Sequence, residues 1–303
     1  MEIDLKKILF RVNSSSNIGL GHLMRSLTLA KKYKNSKIYF ACENLSGNFN
    51  KKVIEEGYTL KVLKSNNKKE FLELITKLKI DFIVIDNYDI DYSFEKYIKQ
   101  NSKIKLLCFD DIYKKHYCDI VLNHNIYAKE EKYKKLVPSF CELRCGKKHT
   151  LIRDEFKKQK KVKKKNEIFV AMGGVDHLGL NPKIIDVLVK YFKKYRVNII
   201  TSSSNKNLKA LKKKCSKYQN INLYIDSKKI AKLMARSSFA IVTPSVTVHE
   251  VIYMNLDFIA IKTADNQKYM YKYLKKKKYK VLETFSNKKL VKLINGIKSE
   301  SKR

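Results

Sequence analysis

Short β-branched apolar runs alternate along this chain with segments in which apolar residues recur every three or four positions. In the first half the runs are KILFRV, KIYFAC, TLKVLK, DFIVID, IKLLCFD and DIVLN, and amphipathic stretches such as HLMRSLTLAKKYK, FNKKVIEEG and KEFLELITKLK lie between the earlier ones. The runs predict strands and the 3.6-period segments predict helices. Strands separated by helices of this length predict parallel sheets covered on both faces.

Residues 157–167, KKQKKVKKKNE, break the pattern. They have no apolar period and almost all their charge is positive, which predicts a surface helix end and a linker. The expected domains are 1–160 and 161–303. After the linker the alternation restarts with IFVAMGG, a helix near 181–195, RVNIITSSS, a helix near 206–218, INLYID, a helix near 228–237, FAIVTP, a helix near 247–254, DFIAIKT and a helix near 267–276. The tail 286–303 reads as a short helix and a frayed end. The halves repeat in architecture, not in residues. The expected fold class is α/β, with two Rossmann-like, doubly wound parallel-sheet domains facing across a cleft. Ligands of such sheets bind at the C-terminal edges of the strands.

Composition changes this picture little. The chain has 303 residues, 44% of them hydrophobic, enough for real cores. No run of apolar residues is long enough for a membrane span, and the N-terminal MEIDLKKILFRV reads as a first strand, not a signal peptide. A cytoplasmic protein is expected. The six cysteines include no CxxC pair and read as buried thiols of a reducing compartment. The formal net charge is +37, with 66 lysines and arginines of which seven are arginine. Nucleic-acid readers favour arginine for bidentate contacts, whereas here lysine is scattered everywhere, as in a solvated coat. A basic nucleic-acid-binding protein is the alternative from another functional class.

The segment SSSNIGLGHLMRSL, residues 14–27, joins the first strand to the first helix. Gly19 and Gly21 match two glycines of the dinucleotide fingerprint, but Met24 stands at the third. No Lys-Ser/Thr follows to make a P-loop. Glu43, closing the second predicted strand, keeps a degenerate dinucleotide-binding dehydrogenase in view. His22 falls in the first helical turn, where the positive end of the helix dipole disfavours an imidazolium; a neutral imidazole suits a general base. Glycines at 19 and 21 let the backbone approach a ligand, and Arg25 follows one turn on. A helix-capping histidine among polar loop residues is the plain structural alternative.

FRVNSSSNIGLGHLMRSLTLAKKY resembles the N-terminal signature of the UDP-sugar hydrolases of pseudaminic acid synthesis, relatives of MurG-type glycosyltransferases with a GT-B fold. IDNYDI, LLCFDDI, CDIVLNHNIYA, LRCGKKHTLIRDEF, VAMGGVD, SVTVHE and the Asn-Gln pair at 266–267 match in order. The resemblance implies hydrolysis of UDP-2,4-diacetamido-2,4,6-trideoxy-β-L-altropyranose at its anomeric C–O bond, with inversion and release of UDP. It implies no metal and no organic cofactor, a small-molecule UDP-sugar as the partner, no nucleic acid, and a monomer. The family's base aligns onto His22, with Ser15, Gly19, Gly21 and Arg25 shaping the pocket beside it. Asp110, Asn125, Tyr127 and Arg153 match further family positions, as do Asn123 and Arg144.

In the second half, Met172, Gly173 and Gly174 end a strand and Asp176 follows. Such glycines expose backbone N–H groups that suit a diphosphate; a tight strand-to-helix turn needs the same residues. Ser245 and Thr247 precede a helix with Glu250 expected in its first turn. In GT-B relatives a glutamate there holds ribose hydroxyls, while Ser/Thr before Glu serves equally as a helix cap. Asn266 and Gln267 cap the next helix, and in the family lie near phosphates and sugar. Asp110 and Asp111 form a carboxylate pair at a strand end, suited to a supporting role. Asn87 stands where the family carries His, His249 where it carries Asn or Trp, and Pro244 in a loop that is usually flexible. A GT-B glycosyltransferase with an acceptor in place of water is the alternative enzyme.

Overall fold

The computed structural model describes residues 6–300. The chain divides into two compact units after Leu151, ahead of the lysine run that reads as the linker. Unit 1 contains β1 (Lys6–Val12), α1 (Gly21–Ala30), β2 (Ser36–Glu43), α2 (Asn50–Glu55), β3 (Thr59–Leu63), α3 (Lys68–Leu78), β4 (Phe82–Asp86), α4 (Tyr92–Asn101), β5 (Lys105–Phe109), β6 (Ile120–Asn123) and β7 (Glu142–Cys145). Its seven strands are ordered β3-β2-β1-β4-β5-β6-β7, all parallel. Alternate residues of each strand feed two cores. Ile8, Phe10 and Val12 of β1 join one face with Phe40, Val84 and Leu107; Leu9 joins the other with Ala41, Ile83, Ile85 and Leu106. Burial on both faces explains why these strands read as continuous apolar runs.

Unit 2 contains α5 (Asp154–Lys157), β8 (Glu167–Ala171), α6 (Leu180–Tyr191), β9 (Arg196–Thr201), α7 (Leu208–Cys215), β10 (Ile221–Ile225), α8 (Ile230–Arg236), β11 (Phe239–Val242), α9 (Val246–Tyr253), β12 (Asp257–Ile261), α10 (Lys268–Lys276), β13 (Lys280–Leu282) and α11 (Asn287–Glu300). The order is β10-β9-β8-β11-β12-β13. Each unit therefore reverses its strand order once, between β1 and β4 in unit 1 and between β8 and β11 in unit 2. At such a switch point the loops after the two central strands diverge to opposite faces and leave a crevice at the carboxyl ends. The tail is no short helix: α11 runs fourteen residues, and Leu290, Ile294 and Ile297 pack it into the unit 2 core.

One charged residue, Arg11, interrupts the buried run of β1. The Arg11 side chain is wholly buried; its Nη1 donates to Asn13 Oδ1 at 2.7 Å and Nη2 donates to Glu43 Oε1 and Asn66 Oδ1, each at 2.5 Å. Asn13 Nδ2 donates to the same Glu43 oxygen at 2.7 Å. This corrects the dehydrogenase alternative: the acid at the end of β2 neutralises a buried guanidinium instead of awaiting a ribose. Glu43→Ala leaves that guanidinium buried without its counter-charge. Its unfolding free energy by denaturant titration should fall by about 3 kcal/mol. Glu56→Ala, which removes the surface partner of Lys31, should stay within about 0.5 kcal/mol of the parent. Equal losses in the two variants would refute this account of Arg11.

Candidate active site

The loop after β1 is shaped by its own backbone. Ser15 Oγ accepts from the N–H groups of Asn17 (3.2 Å) and Ile18 (3.0 Å), and its carbonyl accepts from Gly19 N–H at 2.8 Å. The turn closes with Gly19 at φ +82°, a conformation that a Cβ would strain. Gly21 then opens α1, and a Cβ there would meet nothing within 4 Å. Leu20 occupies the N-cap and makes no side-chain cap. His22 is the second helical residue, buried to 8% exposure. Its ring is not a cap: Nδ1 lies 2.6 Å from Asp86 Oδ1.

Asp86 is the last residue of β4, across the switch point from the β1 loop, and is 2% exposed. Arg25, one helical turn after His22, grips it with a fork: Nε donates to Oδ2 at 2.6 Å and Nη2 to Oδ1 at 2.5 Å. Ser26 Oγ adds a bond to Oδ2 at 3.3 Å. Arg25 Nη1 donates to Asp111 Oδ2 at 2.7 Å, and Asp111 Oδ1 accepts the Tyr88 hydroxyl at 2.5 Å. The Tyr88 ring stands edge-on to the His22 ring with centroids 4.6 Å apart, and the Arg25 guanidinium lies over Phe109.

The groups around the ring bear on which nitrogen carries the proton. Burial opposes the Asp86 charge, but Arg25 first and His22 second outweigh it and hold the carboxyl well below the usual range. Burial likewise opposes the Arg25 charge, and Asp86 and Asp111 more than offset it. Arg25 Nη2 also lies 2.9 Å from His22 Nδ1, but Nδ1 has a single in-plane position and the ionised carboxylate at 2.6 Å claims it. The Nδ1–H therefore donates to Asp86 and leaves Nε2 as the basic nitrogen. This is the carboxylate–imidazole relation of hydrolytic triads.

Several expected contacts turn inward. Arg25 is an internal tie and not a pocket wall, since it spends its fork on Asp86 and Asp111. Asp110 does not join Asp111: its oxygens accept from Ile112, Tyr113 and Lys114 N–H at 3.2, 2.7 and 3.3 Å and from the Tyr133 hydroxyl. Asn125 Nδ2 bonds Asn123 Oδ1 at 2.9 Å, and the Tyr127 hydroxyl bonds the Asp111 carbonyl. Asp110 and Tyr127 hold the turn that carries Asp111, while Asn125 is tied to Asn123. The sequence reading missed Asp86 and Tyr88, although both lie in the IDNYDI segment; an acid closing the strand that neighbours β1 was the available signal.

Unit 2 is separate in its chemistry. Met172 is buried in the unit 2 core. Gly173 takes φ +81°, and the Gly174 carbonyl accepts from Ser202 N (2.9 Å), Ser202 Oγ (2.8 Å) and Thr201 Oγ1 (3.0 Å). Asp176 caps α6, accepting from Leu180 N–H at 2.8 Å and Asn181 N–H at 2.9 Å. Helix α9 begins at Val246, so Thr247 lies inside it and Glu250 is its fifth residue, beyond the first turn. Ser245 is the N-cap without a side-chain cap bond; its Oγ lies 3.0 Å from Thr243 Oγ1. Glu250 is 1% exposed and meets Arg153 in a bidentate pair at 2.6 and 2.9 Å. Burial pushes the Glu250 carboxyl up, with Arg153 acting against it. Gln267 folds back, its Oε1 accepting Thr263 N–H at 2.8 Å, while Asn266 is exposed. Among the described residues, Glu95, Cys108 and His116 alone form a group spaced to hold a metal ion; Asp110 and Asp111 do not.

No family model matches the chain. It is 42% identical over 277 residues to the UDP-2,4-diacetamido-2,4,6-trideoxy-β-L-altropyranose hydrolase of Campylobacter jejuni, covering 91% of this chain and 98% of that one. It is 28% identical over 288 residues to an uncharacterised protein of Methanocaldococcus jannaschii, covering 89% of this chain and 58% of that one. Among solved structures, Acinetobacter baumannii MurG is similar with TM-score 0.61 at 13% identity, covering 96% of this chain and 90% of that one. The rhamnosyltransferase SpnG is similar with TM-score 0.66 at 8% identity, covering 97% and 92%. At these identities the likeness concerns fold alone, and it is a GT-B-like fold. Among the described residues no helix is long and apolar enough to cross a membrane.

Asp86 titrates with a defined sign. A carboxyl depressed in the folded state adds stability above its unfolded value, about 3.9, and loses it as the pH falls through the folded one. Parent protein should therefore lose more stability than Asp86→Asn between pH 7 and pH 3, measured as the shift in urea midpoint. Parallel acid losses would contradict the ionised Asp86 on which the His22 tautomer rests.

Proposed function

The chain belongs to the UDP-2,4-diacetamido-2,4,6-trideoxy-β-L-altropyranose hydrolase family and is a UDP-sugar hydrolase of pseudaminic acid biosynthesis, and we propose that His22 is its general base. The observation that carries this is the 2.6 Å bond from His22 Nδ1 to Asp86, which directs the proton-accepting Nε2 away from the carboxylate. Nε2 takes a proton from water as the water oxygen bonds to the anomeric carbon. The anomeric C–O bond breaks with its electron pair leaving on UDP, and the configuration inverts. Asp86 stabilises the imidazolium that forms. UDP leaves without a proton donor, because its terminal phosphate has a second pKa of about 6; one histidine then serves where glycosidases use two carboxylates.

Unit 2 is the proposed UDP-holding half. The N–H groups of the Gly173–Gly174 turn are proposed as diphosphate donors, and Ser245, Thr247, Asn266 and Gln267 as further substrate-binding residues. Glu250 is proposed for the ribose hydroxyls: each carboxylate oxygen has two lone-pair directions, and the Arg153 fork uses one on each. We place the boundary of function near residue 160, with the base before it and the nucleotide groups after it. The enzyme is proposed to act in the cytoplasm as a monomer, without nucleic acid. Six unpaired cysteines, five of them buried, suit that reducing compartment.

His22→Asn should lower kcat by roughly 10²–10⁴-fold while calorimetry still finds UDP bound. Parent-like turnover of the UDP-linked diacetamido sugar in this variant would end the base assignment. Glu250→Ala should weaken UDP binding about ten- to hundredfold, expressed in KM because the ribose contact is common to ground and transition states. Its melting temperature falls in any case, since Arg153 keeps only Glu155 at 2.7 Å. Unchanged UDP affinity alongside that lower melting temperature would reduce Glu250 to a structural partner of Arg153.

A further inference from the structure

Lys114 lies in the turn after β5 and is half-buried. Its Nζ donates to the Tyr88 carbonyl at 2.7 Å and to the Ile90 carbonyl at 3.4 Å. Its backbone N–H donates to Asp110 Oδ2 at 3.3 Å, beside the N–H of Tyr113 on the same oxygen at 2.7 Å. The side chain therefore joins two loops of unit 1: the turn after β5, which carries Asp111, and the loop after β4, which carries Tyr88 two residues beyond Asp86. An ammonium donating to a carbonyl makes a charge-assisted bond, roughly twice as strong as a neutral one. Nothing in the hydrolysis described above uses this lysine.

Tyr88 is what this tie holds. Its hydroxyl donates to Asp111 Oδ1 at 2.5 Å and its carbonyl accepts from Lys114, so the residue is held at both ends. Between those ends its ring stands against the His22 ring, with centroids 4.6 Å apart and planes at 88°. His22 needs such a neighbour. The bond between its Nδ1 and Asp86 Oδ1 fixes one atom of the imidazole, and the ring can still swing about that contact and carry Nε2 with it. An edge-to-face aromatic contact limits that swing. Asp111 is itself anchored: its Oδ2 accepts from Arg25 Nη1 at 2.7 Å, and its carbonyl accepts the Tyr127 hydroxyl. The hydroxyl end of Tyr88 thus leans on a carboxylate that Arg25 holds, while Lys114 sets where the Tyr88 backbone stands.

We propose that Lys114 is a positioning residue for hydrolysis, pinning the Tyr88 backbone so that the Tyr88 ring keeps His22 Nε2 aimed at the attacking water. This rests on His22 being the base. Lys114 does not touch the reacting atoms; it acts through Tyr88. Proton abstraction depends steeply on where the base stands, and a misplacement of about 1 Å costs up to roughly 10²-fold in rate. Loss of the ammonium releases the loop after β4 from the Asp111 turn at its backbone end and leaves the Tyr88 hydroxyl to hold the ring from the other. The nucleotide groups proposed in unit 2 are untouched, so the loss falls on kcat and not on UDP binding.

The test is steady-state hydrolysis of the UDP-linked diacetamido sugar by the parent, Lys114→Met, Lys114→Arg, Tyr88→Phe and the Lys114→Met, Tyr88→Phe double variant, with UDP binding by calorimetry alongside. Lys114→Met keeps an unbranched side chain and removes the donor. It should lower kcat roughly ten- to hundredfold with KM and UDP affinity unchanged. Lys114→Arg, which keeps charge and donors, should restore most of that loss. Because both positions act on one ring, the double variant should lose no more than the worse single one. Lys99→Met is the matched control for a merely structural lysine. Lys99 Nζ donates to the Asp119 carboxylate at 2.9 and 2.8 Å and to the Ile104 carbonyl at 3.1 Å in the same unit; its loss should lower the urea midpoint and leave kcat at the parent value. Lys114→Leu replaces Lys114→Met if the latter does not fold. Parent-like kcat in the folded Lys114 variant, losses that multiply in the double variant, or an equal kcat loss in Lys99→Met overturns the proposal. The base reading is judged apart, because it falls only if His22→Asn keeps turnover.

Discussion

The candidate active site hangs on one buried guanidinium. Arg25 bonds both Asp86 and Asp111, tying together two carboxylates that are each nearly out of contact with water. The fork also sets direction: with Nε and Nη2 fixed on the two oxygens of Asp86, the carboxylate cannot turn from the His22 ring. Because His22 and Arg25 lie three residues apart on one helix, they share a face, and α1 itself fixes their separation.

That arrangement needs the parallel topology. Asp86 closes β4 and the His22 loop leaves β1, and these two strands pair in register from Ile8–Phe82 to Val12–Asp86. The reversal of strand order between them places a helix start beside a strand end, which puts an imidazole within reach of a carboxylate 64 residues away. Unit 2 makes the same reversal between β8 and β11, and there the strand ends run into Gly173–Gly174 and Thr243–Ser245.

Several residues expected to touch a ligand turn out to hold the chain. Asp176 caps α6, Gln267 closes on Thr263, and Asp110 gathers three N–H groups of its own turn. The reason is common to all: loops at strand ends leave backbone N–H groups unpaired, and a short carboxylate or amide that could bind a ligand satisfies those donors first. At Asp110 the result still serves the site, since the turn it builds delivers Asp111.

The alternation of apolar periods determined the strand and helix succession, the doubly wound class and the histidine loop, because burial on two sheet faces and along one helix face writes itself locally into the chain. It did not mark β7 or β13, which are short and half-buried and so carry little apolar signal. Nor did it reveal α11 at its full length, whose apolar stripe acquires meaning only against the unit 2 core. His22 was legible from its place after two glycines at a helix start. Its partnership with Asp86, the inward turn of Arg25 and the capture of Glu250 by Arg153 were not. Those are contacts between residues 61 to 97 positions apart, and only the packed fold decides which carboxylate a buried cation meets, since every buried charge must find a partner and the sequence offers many.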